Sequence, residues 1–415
     1  MLVSSHRAAR SRAVRLFAIA SVAAIALTGC VTKPAAPPPV APVAAPETPA
    51  GHPLSENKPT FLNLPNIPGD HTPVRVGVIL PFTSGTPAVK ALAQAMLRSA
   101  QIALYESGNH DIILMTADEG STPADAAAAA DRLLDQGAEI FIGPLYGPSV
   151  KAISAAARDR AVPVLAFSTD RTVAGDGIYL MGFLPEADTD RVVAYALGQG
   201  KHSFAALVPR TAFGDVTLDT FKKSVTDGKG EVGEVVRFEG TIDGVIEPAG
   251  RIAKTDADAL FMPQGGAMLR AAAPALTAGG FLPGKVKLLG TGQWSETANL
   301  TAPALEGAWF AAPDPKTEIA FEVKYHDAFG ANPPPLAALA YDAVSLVAEL
   351  AAKGEPYHRF TREAFANPNG FAGAEGIFRF APDGTAEHGL AVIAVTPDGF
   401  QVVDPAPTTF LKPGS

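Results

Sequence analysis

Residues 74–85 read VRVGVILPFTSG, and this stretch decides the fold. Its first seven residues, Val74–Leu80, are almost all apolar and mostly β-branched, the pattern of a short strand buried on both faces. Proline and glycine break the run at once, and residues 88–105 follow with helical periodicity and many alanines. The unit then repeats. Residues 111–115 predict a second strand, 118–123 a polar loop, and 124–136 a helix with Thr122 as N-cap and Pro123 as its first residue. Residues 139–142 and 162–166 read as further strands, and Gly147-Pro148-Ser149 opens the helix between them. Strands alternating with helices in this way specify parallel βαβ units.

The pattern restarts at residues 204–208, FAALV. A turn through 209–214 leads to a helix ending near Val225 and a strand at 232–238. A helix near 246–254, a strand at 259–262, a helix at 268–278 and a strand at 286–289 follow. Two βα halves of similar length predict an α/β fold of two Rossmann-like lobes, each a parallel sheet flanked by helices, with a hinge between them. The expected division is lobe 1 at about 74–184 plus about 311–350. Lobe 2 takes about 185–310 plus part of the C-terminal segment, and a tail occupies 404–415. Residues 307–312 are expected to lead the chain back toward the first lobe.

In open parallel sheets, ligands gather outside the carboxyl ends of the strands. The loops in that position supply the candidate residues. They are Phe82, Ser84 and Gly85; Asp118; Gly143, Pro144, Tyr146 and Ser149; Ser168 and Thr169; Thr211 and Phe213; Gln264; and Gln293 and Trp294. Asp118 and Glu119 are adjacent carboxylates, but neighbours on an extended loop point apart. Acids ahead of a helix complement the positive end of its dipole, so this pair is read as serving the helix that follows it.

Catalytic chemistry is not expected. Gly228-Lys-Gly-Glu-Val-Gly233 spells a dinucleotide motif, which requires a strand before it and a helix after it. Here a helix precedes and a strand follows, which makes it a turn. The eight histidines have no metal-ligand spacing, and no G-x-S-x-G elbow is present. Neither a cofactor nor a metal site is indicated.

The N-terminus carries Arg7, Arg10, Arg12 and Arg15 without an acid, then an apolar run at 16–27. That is a secretory signal, residues 1–29, too short for the ~20 residues a membrane span needs. It ends in Leu27-Thr28-Gly29-Cys30, which resembles the lipobox of bacterial lipoproteins. The resemblance implies cleavage before Cys30, the only cysteine in the chain, and acylation of its thiol. Val31 stands where an aspartate would imply retention at the inner membrane, so the expected location is the periplasm, anchored to the outer membrane. Residues 30–73 are expected to form a tether. Its proline- and alanine-rich stretch favours extended polyproline conformations and reaches roughly 60 Å at ~3.1 Å per residue. The chain's net charge is −9 and the signal removes only positive charge. An acidic body argues against nucleic acid or anionic lipid as a partner, leaving the Cys30 lipid as the membrane contact.

Six markers follow one another along the folded part. They are Val76-Gly-Val-Ile-Leu-Pro81 with Gly85; Ile142-Gly-Pro144; Val162-Pro-Val-Leu165; Phe213-Gly214; Tyr341-Asp-Ala-Val344; and the run at 371–384, FAGAEGIFRFAPDG, whose alternation ends in an Asp383-Gly384 turn. In this order they resemble the type I periplasmic-binding-protein fold, the leucine-binding-protein group. Gly143-Pro-Leu145, Ala166-Phe-Ser-Thr-Asp170 and residues 177–183 are most similar to lipoproteins that activate penicillin-binding proteins. That resemblance implies a non-catalytic partner that binds and activates a class A penicillin-binding protein, a peptidoglycan synthase. The second expectation is a substrate-binding receptor of an ABC transporter, taking branched-chain or other amino acids or amides in the cleft. Amino-acid binders of this fold hold the ligand carboxylate with a Ser/Thr run after the third strand. Here only Ser149 remains of such a run, although the helix start could still attract an anion.

Overall fold

The computed structural model describes residues 73–295, 302–356 and 358–411. The signal, Cys30 and the tether lie outside the described residues.

Strands β1 (Val74–Leu80), β2 (Ile112–Asp118), β3 (Ile140–Ile142), β4 (Val164–Ala166) and β5 (Ile178–Leu180) form a parallel sheet in the order β2-β1-β3-β4-β5. Helices α1 (Pro87–Ser107), α2 (Pro123–Asp135) and α3 (Gly147–Asp159) connect them. All seven residues of β1 are buried, as its apolar run requires of a central strand. Thr122 caps α2, and Asp125 returns the favour by accepting from the Thr122 amide, a complete capping box behind Pro123. Strand β5 was not foreseen, since three residues are too few to show a period.

Helix α4 (Pro185–Gly198) carries the chain into the second lobe. Strands β6 (Ser203–Pro209), β7 (Glu231–Phe238), β8 (Ala259–Phe261), β9 (Lys287–Gly290) and β10 (Trp309–Ala312) run parallel there, with α5 (Ala212–Asp227), α6 (Ile242–Ile252) and α7 (Gly266–Ala278) between them. The literal glycine motif at 228–233 is the turn from α5 into β7.

The chain then returns to the first lobe. Helices α8 (Pro315–Phe329) and α9 (Ala338–Lys353) lie on α1. After α10 (Arg362–Phe365), strands β11 (Phe371–Gly373), β12 (Gly376–Phe380) and β13 (Ala386–His388) form a small antiparallel sheet. Its Asp383-Gly384 turn has Gly384 at φ +84°, and the Gly384 carbonyl accepts the Leu180 amide at 2.8 Å, so this sheet abuts β5. Finally β14 (Ala391–Thr396) and β15 (Gly399–Asp404) add antiparallel strands beside β10, giving the second sheet the order β15-β14-β10-β9-β8-β6-β7.

Two expected boundaries shift. Residues 309–312 do not start the return to lobe 1, because their apolar strand pairs with Leu289 and Gly290 on one side and with β14 on the other. The return begins after Ala312. The tail expected from 404 likewise starts one residue later, since Asp404 still pairs with Val392.

Each sheet is covered on both faces. In lobe 1, α1 and α9 with the small sheet bury one face, and α2 and α3 the other. In lobe 2, α6 and α7 cover one face and α4 and α5 the other. Three crossings join the lobes, at residues 181–184, 313–314 and 389–390. The first two leave the carboxyl ends of β5 and β10, and the third enters β14 at Ala391, paired with Ala312. The carboxyl ends of the two sheets are therefore apposed. At this hinge the buried His388 ring packs tilted against Phe183, centroids 4.2 Å apart, and its Nε2 lies 3.2 Å from the Met181 carbonyl.

Candidate functional site

The first-lobe side of the cleft is built from four loops. After β1, Phe82 is half-buried, while Ser84 is buried with no hydrogen-bond partner for its Oγ. After β2, Asp118 accepts the Phe82 amide at 2.9 Å, the Thr83 amide at 3.3 Å and the Thr83 hydroxyl. Partial burial raises the Asp118 pKa, but these bonds and one from the Gly120 amide outweigh it and hold the group below the usual range. Asp118 thus clamps the β1 loop.

Glu119 turns the other way. It is 1% exposed, and its carboxylate accepts the Leu145 amide at 2.9 Å and the Tyr146 amide at 3.1 Å. Ser149 also hydrogen-bonds to it. Helix α3 has no side-chain N-cap, so the part-buried Leu145 and Tyr146 amides at its entry need an acceptor from elsewhere. Glu119 provides it. Burial pushes its pKa up, and the bonds from Leu145, Ser149 and Tyr146 oppose that rise. The expectation that this acid serves the helix following it is corrected: α2 is capped by its own Thr122 and Asp125, and Glu119 reaches α3 instead.

Gly143 makes that approach possible. Its φ is +89°, and a Cβ there would lie 2.0 Å from the Ile79 carbonyl oxygen, so β1 and the loop after β3 touch backbone to backbone. The Gly143–Pro144 bond is cis. Tyr146 is exposed beside Gly85, itself exposed. Ser168 is buried and its Oγ accepts the Asp170 amide, while Thr169 is exposed.

On the second lobe, Thr211 is exposed and caps α5 through the Gly214 amide, with Phe213 half-buried beside it. Gln264 is 1% exposed, and neither its Oε1 nor its Nε2 has a partner. The exposed Gln293 accepts the Gly265 amide at 3.2 Å. Trp294 does not present its ring to the cleft. It is fully buried in the second core, with Nε1 donating to the Gln264 carbonyl at 3.0 Å. Asp188 on α4 accepts the Gly292 amide at 3.0 Å, and burial pushes its pKa up to about 7.

The structure therefore brings Phe82, Ser84, Asp118, Gly143, Pro144, Tyr146, Ser149 and Ser168 to one edge, and Gln264 and Gln293 to the apposed one. Sequence reasoning missed Glu119 and Asp188 as site residues. The signal for Glu119 was a helix start with no capping side chain. Asp188 sits within a helix that no local pattern marked out. Two adjoining cavities, of about 380 and 620 Å³, open on lobe 1 around Asp176, Gly177, Tyr179 and Arg362, and contain none of the candidates.

Two α/β lobes with apposed carboxyl ends and polar loops between them define a binding protein of the clamshell class. The chain belongs to the periplasmic binding protein family, whose model matches residues 73–400. Solved structures share the fold. A branched chain amino acid ABC transporter periplasmic ligand-binding protein from Burkholderia xenovorans LB400 is 17% identical, with TM-score 0.65, covering 80% of this chain and 96% of its own. A solute binding protein of an ABC transporter from Rhodopseudomonas palustris BisB5, in complex with 3,4-dihydroxy benzoic acid, is 19% identical, with TM-score 0.61, covering 82% and 99%. An uncharacterized protein of Rickettsia prowazekii (strain Madrid E) is 23% identical over 146 residues, 35% of this chain and 39% of that relative's length.

Proposed function

We infer that this chain is a non-catalytic periplasmic receptor that binds a small organic solute between its lobes and delivers it to an ABC transporter. One observation carries this reading. The Ser84 hydroxyl and the Gln264 amide are buried and partnerless, and they stand on loops at the apposed carboxyl ends of the two sheets. An unmade hydrogen bond on a buried group costs ~1–3 kcal/mol, so such groups persist where a ligand completes them. The solved relatives named for solute binding support the same reading. Cys30 would tether the receptor by its lipid, with the outer membrane as the expected anchor.

A thermal-shift panel of amino acids, amides, amines and sugars tests this. A receptor gains ~2.7 kcal/mol of stability at a solute concentration of ~100 Kd, so one solute raises the Tm in a concentration-dependent way. The response weakens in Ser84→Ala and Gln264→Ala. A flat panel overturns the reading.

A second reading is favoured by Glu119, which fills the anion-seeking start of α3 with the chain's own carboxylate. It supports a body that acts through its surface, as an activator of a class A penicillin-binding protein. Added to a glycan polymerisation assay with the cognate synthase, an activator raises the rate; an unchanged rate removes this reading.

A further inference from the structure

Glu119 occupies a place in the first lobe that is built to hold an anion. The Leu145 and Tyr146 amides and the Ser149 hydroxyl all point at its carboxylate, which is 1% exposed. Backbone amides at a helix start are a general anion seat. In this chain they are already used, so an incoming carboxylate finds no donor there.

The charge around the cleft argues the same way. Among the described residues, the loops at the carboxyl ends of the parallel strands carry Asp118, Glu119, Asp170, Glu239 and Asp314 against the bases Arg171 and Arg210, and Arg171 is already paired with Glu186 and Asp383. Arg210 itself lies 3.7 Å from Glu239. A concave site with an excess of one sign of charge repels that sign and attracts the opposite one. The two partnerless groups, a hydroxyl and a primary amide, both donate and accept hydrogen bonds. They suit a neutral polar group better than a full negative charge.

We propose that Glu119 is a built-in carboxylate that sets the specificity of the cleft, so that it takes an amide or amine and rejects carboxylate solutes. This rests on the receptor reading for its positive half; the filled anion seat stands without it. The Rhodopseudomonas palustris relative, solved with 3,4-dihydroxy benzoic acid, holds the opposite kind of ligand.

The test uses the full folded chain and Glu119→Ala. For the wild type, leucine and 3,4-dihydroxybenzoate leave the Tm unchanged, and a member of an amide and amine panel raises it. Glu119→Ala lowers the Tm, and acetate or formate restores it in a concentration-dependent way that the wild type does not share. Should Glu119→Ala fail to fold, calorimetric titration of the wild type with leucine and 3,4-dihydroxybenzoate decides the matter alone. Micromolar binding of either by the wild type overturns the proposal, as does a Glu119→Ala protein indifferent to acetate. Acetate rescue combined with a panel that never shifts the wild type upholds the filled seat and overturns the receptor reading instead.

Discussion

The Glu139 carboxylate and the Arg359 guanidinium meet at 3.0 Å with each side chain only 7% exposed, although 220 residues separate them. The pair ties the start of β3 to the segment ahead of α10, closing lobe 1 around the returning chain. Removing the guanidinium leaves the Glu139 carboxylate charged in the interior, which costs ~3–5 kcal/mol. Arg359→Met should therefore lose about that much in denaturant unfolding. The double change Glu139→Leu with Arg359→Met should recover much of the loss, and a single-mutant cost below ~1 kcal/mol would contradict the buried geometry.

Asp188 should make the protein less stable as pH rises. Its folded pKa, about 7, lies above the ordinary aspartate value of 3.8, so the native state holds a proton that the unfolded chain releases between these values. The stabilising effect is complete below about pH 4 and is lost as pH climbs toward 7. Each unit of difference is worth ~1.4 kcal/mol. Asp188→Asn keeps an oxygen for the Gly292 amide and removes the titration. The variant should gain on the wild type by a few kcal/mol between pH 4 and 8. Parallel stability curves would refute this.

His388 carries the opposite sign. Burial pulls its pKa down from 6.5 to about 4, against the bond to the Met181 carbonyl, so the folded hinge holds the neutral ring. Its contribution is present above pH 6.5 and disappears as pH falls toward 4. His388→Gln should flatten the acid limb of the stability curve relative to the wild type. Because Phe183 and Met181 lie in the first crossing, the acid loss should appear as loosening between the lobes. Hydrogen exchange at residues 181–184 measures it.

Gly143→Ala should be among the most damaging single-atom additions. It combines a left-handed backbone with a Cβ placed 2.0 Å from the Ile79 carbonyl. Strain of this kind costs on the order of 1–3 kcal/mol before the clash is relieved. Relief moves the loop whose amides hold Glu119, so the variant should lose both stability and the carboxylate selectivity expected of the cleft. Wild-type unfolding midpoints in Gly143→Ala would show the contact to be slack.

Local signals carried a large part of this fold. Thr122 and Pro123 start α2 because a cap and a preset φ act over one turn. The β12–β13 hairpin was visible in its alternation and its Asp-Gly turn. Three-residue β5 showed nothing periodic, and α4 was passed over between the two repeats. Strand β10 was read only as part of the return to lobe 1, and so was sent to the wrong lobe.

The misplacement of β10 and the misreading of Glu119 have one cause. What the chain order fixes is decided by neighbours a few residues away: periodicity, caps, breakers, and hence the alternation of strands and helices that makes two lobes. Which sheet takes β10 depends on pairing with a strand more than eighty residues further on, at Ile393. Which helix Glu119 serves depends on amides 26 and 27 residues on, brought within reach by backbone contact at Gly143. Hydrogen bonding across such separations leaves no periodic trace in the sequence, so only the folded chain reveals that the anion seat beside the cleft is already taken.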